Sequence, residues 1–118
     1  GGTFDLQFAF NSSVGQIVFN CWTQSVNSGT NTIRLNTWNH ILGTWGLEGV
    51  KLYINGLLVG TNNNTVQAVI NAFSGYIAKK RTGYFTNGLI DNVMAFNRTL
   101  LASEISNLYN LTKQNYGK

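Results

Sequence analysis

Residues Trp38–Gly56, WNHILGTWGLEGVKLYING, constrain this chain more than any other stretch, because they read as two antiparallel strands closed by the two-residue turn Asn55-Gly56. Val50, Leu52 and Ile54 alternate with Lys51 and Tyr53, the period of a half-buried strand. Asn-Gly supplies the positive φ angles that a type I′ hairpin requires. A shorter strand, Leu57–Thr61, is expected to return from the turn. The hairpin implies an antiparallel architecture; it does not name a ligand.

The chain of 118 residues is read as one domain with one core. Only 10% of its residues are charged, against about 25% in an ordinary soluble domain. Asn, Thr, Ser and Gly carry the polarity, and these solvate loops without supplying acid or base groups. The net charge of +4 reflects scarce acids, Asp5, Glu48, Asp91 and Glu104, more than a basic stripe, so no nucleic-acid partner is expected. Cys21 is alone, which excludes an internal disulfide and fits a buried thiol. No apolar run approaches the ~18 residues of a membrane span, so no membrane insertion is expected. The start at Gly1-Gly2, without an initiator Met, fits a stretch belonging to a longer polypeptide.

Short strands separated by turn signals run through most of the sequence. Phe4, Leu6, Phe8 and Phe10 alternate with Asp5, Gln7 and Ala9 and predict a half-buried strand. Gln16–Trp22 is apolar on both parities, as for a strand between two layers, and Asn27–Asn31 breaks it. Ile33–Leu35, Gly75–Lys79 and Gly88–Asn97 are further strand candidates, and Val66–Phe73 is ambiguous between a strand and a loop with apolar anchors. Leu101, Ile105, Leu108 and Tyr109 recur at helical spacing, which predicts one short amphipathic helix over Ala102–Leu111. The pattern as a whole is all-β, an antiparallel sandwich with Trp38, Leu52, Ile54, Ile90 and Val93 in its core.

Four blocks of residues together resemble one family. They are Trp38–Trp45 (WNHILGTW), Val50–Gly56 (VKLYING), Gly88–Val93 (GLIDNV), and Phe96–Leu100 (FNRTL) followed by Glu104-Ile105. In this order and spacing, over roughly Phe4–Tyr109, they resemble the laminin G-like, concanavalin A-like jelly roll. The resemblance implies a jelly-roll sandwich with one short C-terminal helix. Three departures stand out. Leu101 stands where the family usually has a capping Ser or Thr, a loss of about 1 kcal/mol at the helix start. Asn92 stands where it often has an acid. The family's opening strands have no counterpart, so residues 1–118 look like the C-terminal part of the fold. The ending Leu108-Tyr109-Asn110 with Lys113, Tyr116 and Gly117 is similar to laminin G-like domains of tailed-phage virion proteins.

Catalysis is not expected. Glycosidases need two carboxylates flanking the scissile bond, whereas Glu48 falls in a predicted turn, Glu104 on the helix, and Asp5 and Asp91 stand apart. His40 shares strand parity with Trp38 and Leu42, which fits a packed residue better than a general base. Asp91 is either buried and hydrogen-bonded or turned outward by a bulge. Calcium asks for six to eight oxygens and usually several carboxylates, and neither it nor any other cofactor is expected. The one charge run, Lys79-Lys80-Arg81, leads into Tyr84 and Phe85. With the polar loop Asn62–Thr65 it would supply an aromatic face and hydrogen-bonding groups, which makes Asn63, Asn64, Lys79, Lys80, Arg81 and Tyr84 candidate ligand-binding residues. The alternative is a solvated loop with Tyr84 or Phe85 folded inward.

Two functional readings stay open. One is a carbohydrate-binding or adhesion module on an extracellular or virion surface, with cell-surface glycans as partners. The other is a structural module of a coat, fibre or capsid decoration, contacting neighbouring protein subunits. On either reading the domain is expected to belong to a larger chain or an oligomeric assembly.

Overall fold

A computed structural model of the chain describes residues 6–21, 23–65, 88–96 and 98–113. The alternation of Leu6, Phe8 and Phe10 produces β1 (Leu6–Asn11), antiparallel to β2 (Gln16–Cys21) in the register Leu6↔Cys21, Phe8↔Phe19, Phe10↔Ile17. On its other side β2 pairs with β3 (Gln24–Asn27). A second antiparallel sheet runs β4 (Ile41–Thr44), β5 (Val50–Ile54), β6 (Leu57–Asn62), with a bulge at Leu52/Tyr53.

The expected turn forms between β5 and β6, with φ of 51° at Asn55 and 79° at Gly56. Asn55 also ties the approach to β4. Its backbone N–H donates to the His40 carbonyl and its Oδ1 accepts from the His40 N–H, both at 2.8 Å. Asn31, Asn36, Asn55 and Asn92 are the non-glycine residues with positive φ among those described. Asparagine tolerates the left-handed region better than most side chains, so the Asn-rich composition is partly a supply of turns.

The core lies between the sheets. Ile17, Phe19, Cys21 and Val26 face Val50, Leu52 and Ile54, with Ile33 closing one end. β2 is therefore buried on one parity only, not on both. Gly43 lets the Phe19 ring lie across β4, since a Cβ there would fall among its ring atoms. Phe8 stacks on Phe19 at 4.8 Å between ring centroids. Among the described residues the second sheet does not extend over β1, and Leu6, Phe8 and Phe10 on its inner face are 49%, 48% and 46% exposed.

Helix α1 (Ala102–Lys113), two residues longer than predicted, covers the outer face of the second sheet. Leu42 and Tyr53, paired across β4 and β5, meet Leu100, Ile105 and Leu108 there. At the helix start Leu101 lacks a capping oxygen, yet Glu104 Oε1 accepts from the Leu101 N–H at 2.9 Å, the reciprocal half of a capping box. Arg98 donates to both oxygens of the same carboxylate, at 2.8 and 2.5 Å.

Two predicted strands are absent, and one unpredicted strand is present. Gly88–Asn97 does not form a strand over its described residues, and Ile90 and Val93 are 48% and 62% exposed rather than core. Asp91 Oδ1 accepts from the Asn92 N–H at 2.8 Å and Asn92 adopts φ 55°, which interrupts the extended run at its middle. Ile33–Leu35 is a loop, because the N–H groups of Thr32 and Ile33 both donate to the Gly15 carbonyl, which holds Ile33 against the end of the core. β3 carries a single apolar residue, Val26, and its strand character comes from pairing with β2. Trp38 is half-buried. Val66–Phe73 and Gly75–Lys79 lie outside the described residues.

Three outcomes follow for stability. Ile54→Ala removes a large buried aliphatic and is expected to cost about 2 to 5 kcal/mol in denaturant unfolding. Gly43→Ala overpacks the Phe19 contact and is expected to cost about 1 to 3 kcal/mol in the same assay. The third concerns pH. The Arg98 hydrogen bonds, then the Leu101 N–H, hold the Glu104 carboxyl at about 2, down from 4.5. A depressed carboxylate stabilises the fold above its unfolded pKa and loses that contribution as pH falls towards its folded one. Melting temperatures of the parent chain should therefore drop more than those of Glu104→Gln between about pH 4.5 and 2; equal drops would remove the capping pair from the account.

Candidate functional site

The densest convergence of loops among the described residues is at the β4–β5 turn, Trp45–Gly49. Gly46 (φ 149°) and Gly49 (φ 90°) allow the turn to close, with the Gly49 N–H donating to the Gly46 carbonyl at 3.1 Å. Gly49 lies directly against the Asn62 carbonyl and the Asn63 backbone, where no Cβ would fit. The Thr65 hydroxyl donates to the Leu47 carbonyl at 3.3 Å, so the Asn62–Thr65 loop lies beside the turn. From the other side, the Thr99 hydroxyl donates to the Trp45 carbonyl at 2.9 Å and brings in the segment that leads to α1.

The β4–β5 turn and the segment leading to α1 line an open cleft of about 520 Å³ on the outer face of the second sheet. Trp45, Glu48, Lys51, Tyr53, Thr99 and Leu101 are among its walls. Lys51 and Tyr53 reach it because the β5 alternation that buries Val50, Leu52 and Ile54 turns them to the opposite face. Trp45 is tilted against Phe19 at 6.3 Å and Tyr53 is buried under α1, so both aromatics are fixed by packing. Exposed Glu48 pairs with Lys51 at 3.5 Å across the rim.

Of the sequence-predicted binding residues, the structure brings Asn63 and Asn64 to this edge. Asn64 is stitched to the first sheet, its side-chain amide donating to Gln24 Oε1 at 2.9 Å, an acceptor it shares with Asn62 at 3.2 Å. Asn63 is exposed beside Gly49. Lys79, Lys80, Arg81 and Tyr84 lie outside the described residues. The sequence reading missed Lys51, Tyr53 and Thr99 as cleft residues. Outward parity on β5 was the available signal for the first two, whereas Thr99 joins through a contact more than fifty residues distant.

The chemistry at the cleft is that of polar contact and aromatic surface. Glu48 is the one carboxylate among its lining residues. Among the described residues no group of three or more His, Cys, Asp and Glu side chains could hold a metal ion. Asp91 is exposed, turned outward rather than buried. The Cys21 thiol is pushed up to about 11 by burial in the core. His40 sits away from the cleft at the Asn55-Gly56 turn, packed against Tyr109 at 5.9 Å.

Residues 1–106 match the family model described as concanavalin A-like lectin/glucanases superfamily, of laminin G type. The fold is similar to that of an S-layer domain-containing protein from Clostridium thermocellum, with 24% identity and a TM-score of 0.59. That match covers 91% of this chain and 64% of the other, so the chain spans less than two thirds of its structural neighbour. No curated protein matches significantly. With nine tenths of its length in the family model and two antiparallel sheets packed over one core, the chain belongs to the laminin G-like branch of the concanavalin A-like lectin/glucanases superfamily.

Proposed function

We propose that the domain is a non-catalytic carbohydrate-binding or adhesion module of an extracellular, surface-exposed protein, and that its binding surface is the β4–β5 edge. The observation that carries this reading is the cleft itself. Its volume of about 520 Å³ lies in the range of roughly 300 to 1,000 Å³ typical of small-molecule sites. Glu48, Lys51 and Thr99 line it and supply charge-assisted and neutral hydrogen bonds for hydroxyl groups. Asn63 is exposed on the neighbouring loop, beside Gly49. A single carboxylate supports binding without hydrolysis, since glycoside cleavage needs a pair. The superfamily spans both lectins and glucanases, so the absence of that pair in the cleft, rather than the fold, favours recognition. The S-layer likeness supports a cell-surface setting.

A second reading, assembly with neighbouring protein, is favoured by β1. Its inner face exposes Leu6, Phe8 and Phe10 on an edge strand, and such edges are ordinarily covered or paired. Part of the S-layer neighbour has no counterpart in this chain. An added antiparallel strand with alternating apolar residues, from the same polypeptide or an adjacent subunit, would cover that face.

Isothermal titration of the full protein with neutral oligosaccharides separates the two. The glycan reading expects saturable binding that Glu48→Gln and Thr99→Ala each weaken by about tenfold, the worth of one good hydrogen bond. Absence of binding across a broad glycan panel, with the fold intact, would leave assembly as the function.

A further inference from the structure

We infer that the contact between His40 and the last turns of α1 is an acid-sensitive latch, which holds the helix against the second sheet while the imidazole is neutral and releases it on protonation. His40 lies between the Asn55-Gly56 turn and the helix. Its backbone is fixed on both sides by Asn55, through the two 2.8 Å hydrogen bonds. Its ring leans on Tyr109 at 5.9 Å between centroids and 53° between planes. Tyr109 in turn sits so close over Gly56 that an added Cβ would stand 3.1 Å from its ring.

Within this seam His40 Nδ1 is buried and has no hydrogen-bond partner. A second proton placed there would have no acceptor, and a buried ionic group without a partner is costly. Among the described residues, the charged and titratable groups that face the ring from α1 offer no relief. Tyr109 presents its ring, and the Lys113 ammonium already stands 5.3 Å from that ring's centroid. From the β5–β6 turn come only Asn55 and Gly56, which carry no charge. Protonation thus sets a second cation against an aromatic ring that already serves Lys113. Burial holds the His40 pKa below 6.5, in keeping with this geometry.

The sign follows from linkage. A histidine that is harder to protonate in the docked state takes up protons when the helix undocks, so docking weakens as pH falls below about 6.5. This window lies above that of Glu104 and is separable from it.

Amide hydrogen exchange of Tyr109–Lys113 in the full chain, corrected for intrinsic pH dependence, tests the latch. Exchange should rise severalfold as the pH is lowered from about 7.5 to 5. His40→Phe keeps a ring against Tyr109 and should abolish the rise. A flat profile in the parent chain, or a rise that persists in His40→Phe, would overturn the latch. Should that variant fail to fold, the NMR titration of His40 in the parent chain decides. A midpoint below 6.5 supports the latch, and a midpoint at or above 6.5 overturns it.

Discussion

Strand β5 is packed on both faces, and the rest of the molecule is arranged around that double burial. Val50, Leu52 and Ile54 meet the first sheet, while Tyr53, from the other parity, meets the helix. A strand in this position has its register fixed twice, since a one-residue slip would exchange its apolar sets between two different partners. The Asn55-Gly56 turn then sets β6, and Asn55 reaches across to His40 and sets the approach to β4. The second sheet is thus determined locally, before its packing against the first.

The seam between the sheets is held differently. With one residue in ten charged, few ion pairs are available, and amides take their place. Asn62 donates to both Gln24 Oε1 and the Ser25 carbonyl, and Asn64 donates to Gln24 again. Neutral amide contacts do not titrate and are little affected by salt, unlike exposed ion pairs. The pH sensitivity of the described structure therefore gathers at α1. The Arg98 and Leu101 hydrogen bonds favour the ionised Glu104 at one end of that helix and burial favours the neutral His40 near the other, and acidification works against both.

How far the sequence carried these features depends on whether the deciding contacts are local. The β5–β6 hairpin was legible because period-two alternation and an Asn-Gly turn agree. Helix α1 was legible because its apolar spacing points one face at the sheet, although its last two residues were not. The same reasoning failed at Gly88–Asn97, where the alternation is as good but Asp91-Asn92 offers the backbone a local turn instead. β3 was invisible because its four residues hold one apolar side chain and become a strand through β2. The laminin G-like resemblance came from blocks dominated by β4, β5 and the helix start, where structure and sequence pattern coincide. Of the cleft only the outward parity of Lys51 and Tyr53 was legible, because its other wall exists only once Thr99 has met Trp45.

The origin of the cleft also explains what it is suited to do. The two aromatic residues beside it are not loop side chains waiting for a ligand. Trp45 is held by Phe19 and Tyr53 by Leu100 and Ile105, so both are ordered by the packing that stabilises the fold. A ligand entering such a site pays little for ordering the protein, and preorganisation is a main route to useful affinity from few contacts. The same rigidity limits its chemistry. Glu48 is exposed and engaged by Lys51, and no second carboxylate lines the walls to share acid and base roles with it. The proposed glycan would meet there one ion pair, Glu48 with Lys51, and the Thr99 hydroxyl, held in place by the same contacts that join the two turns to the helix start.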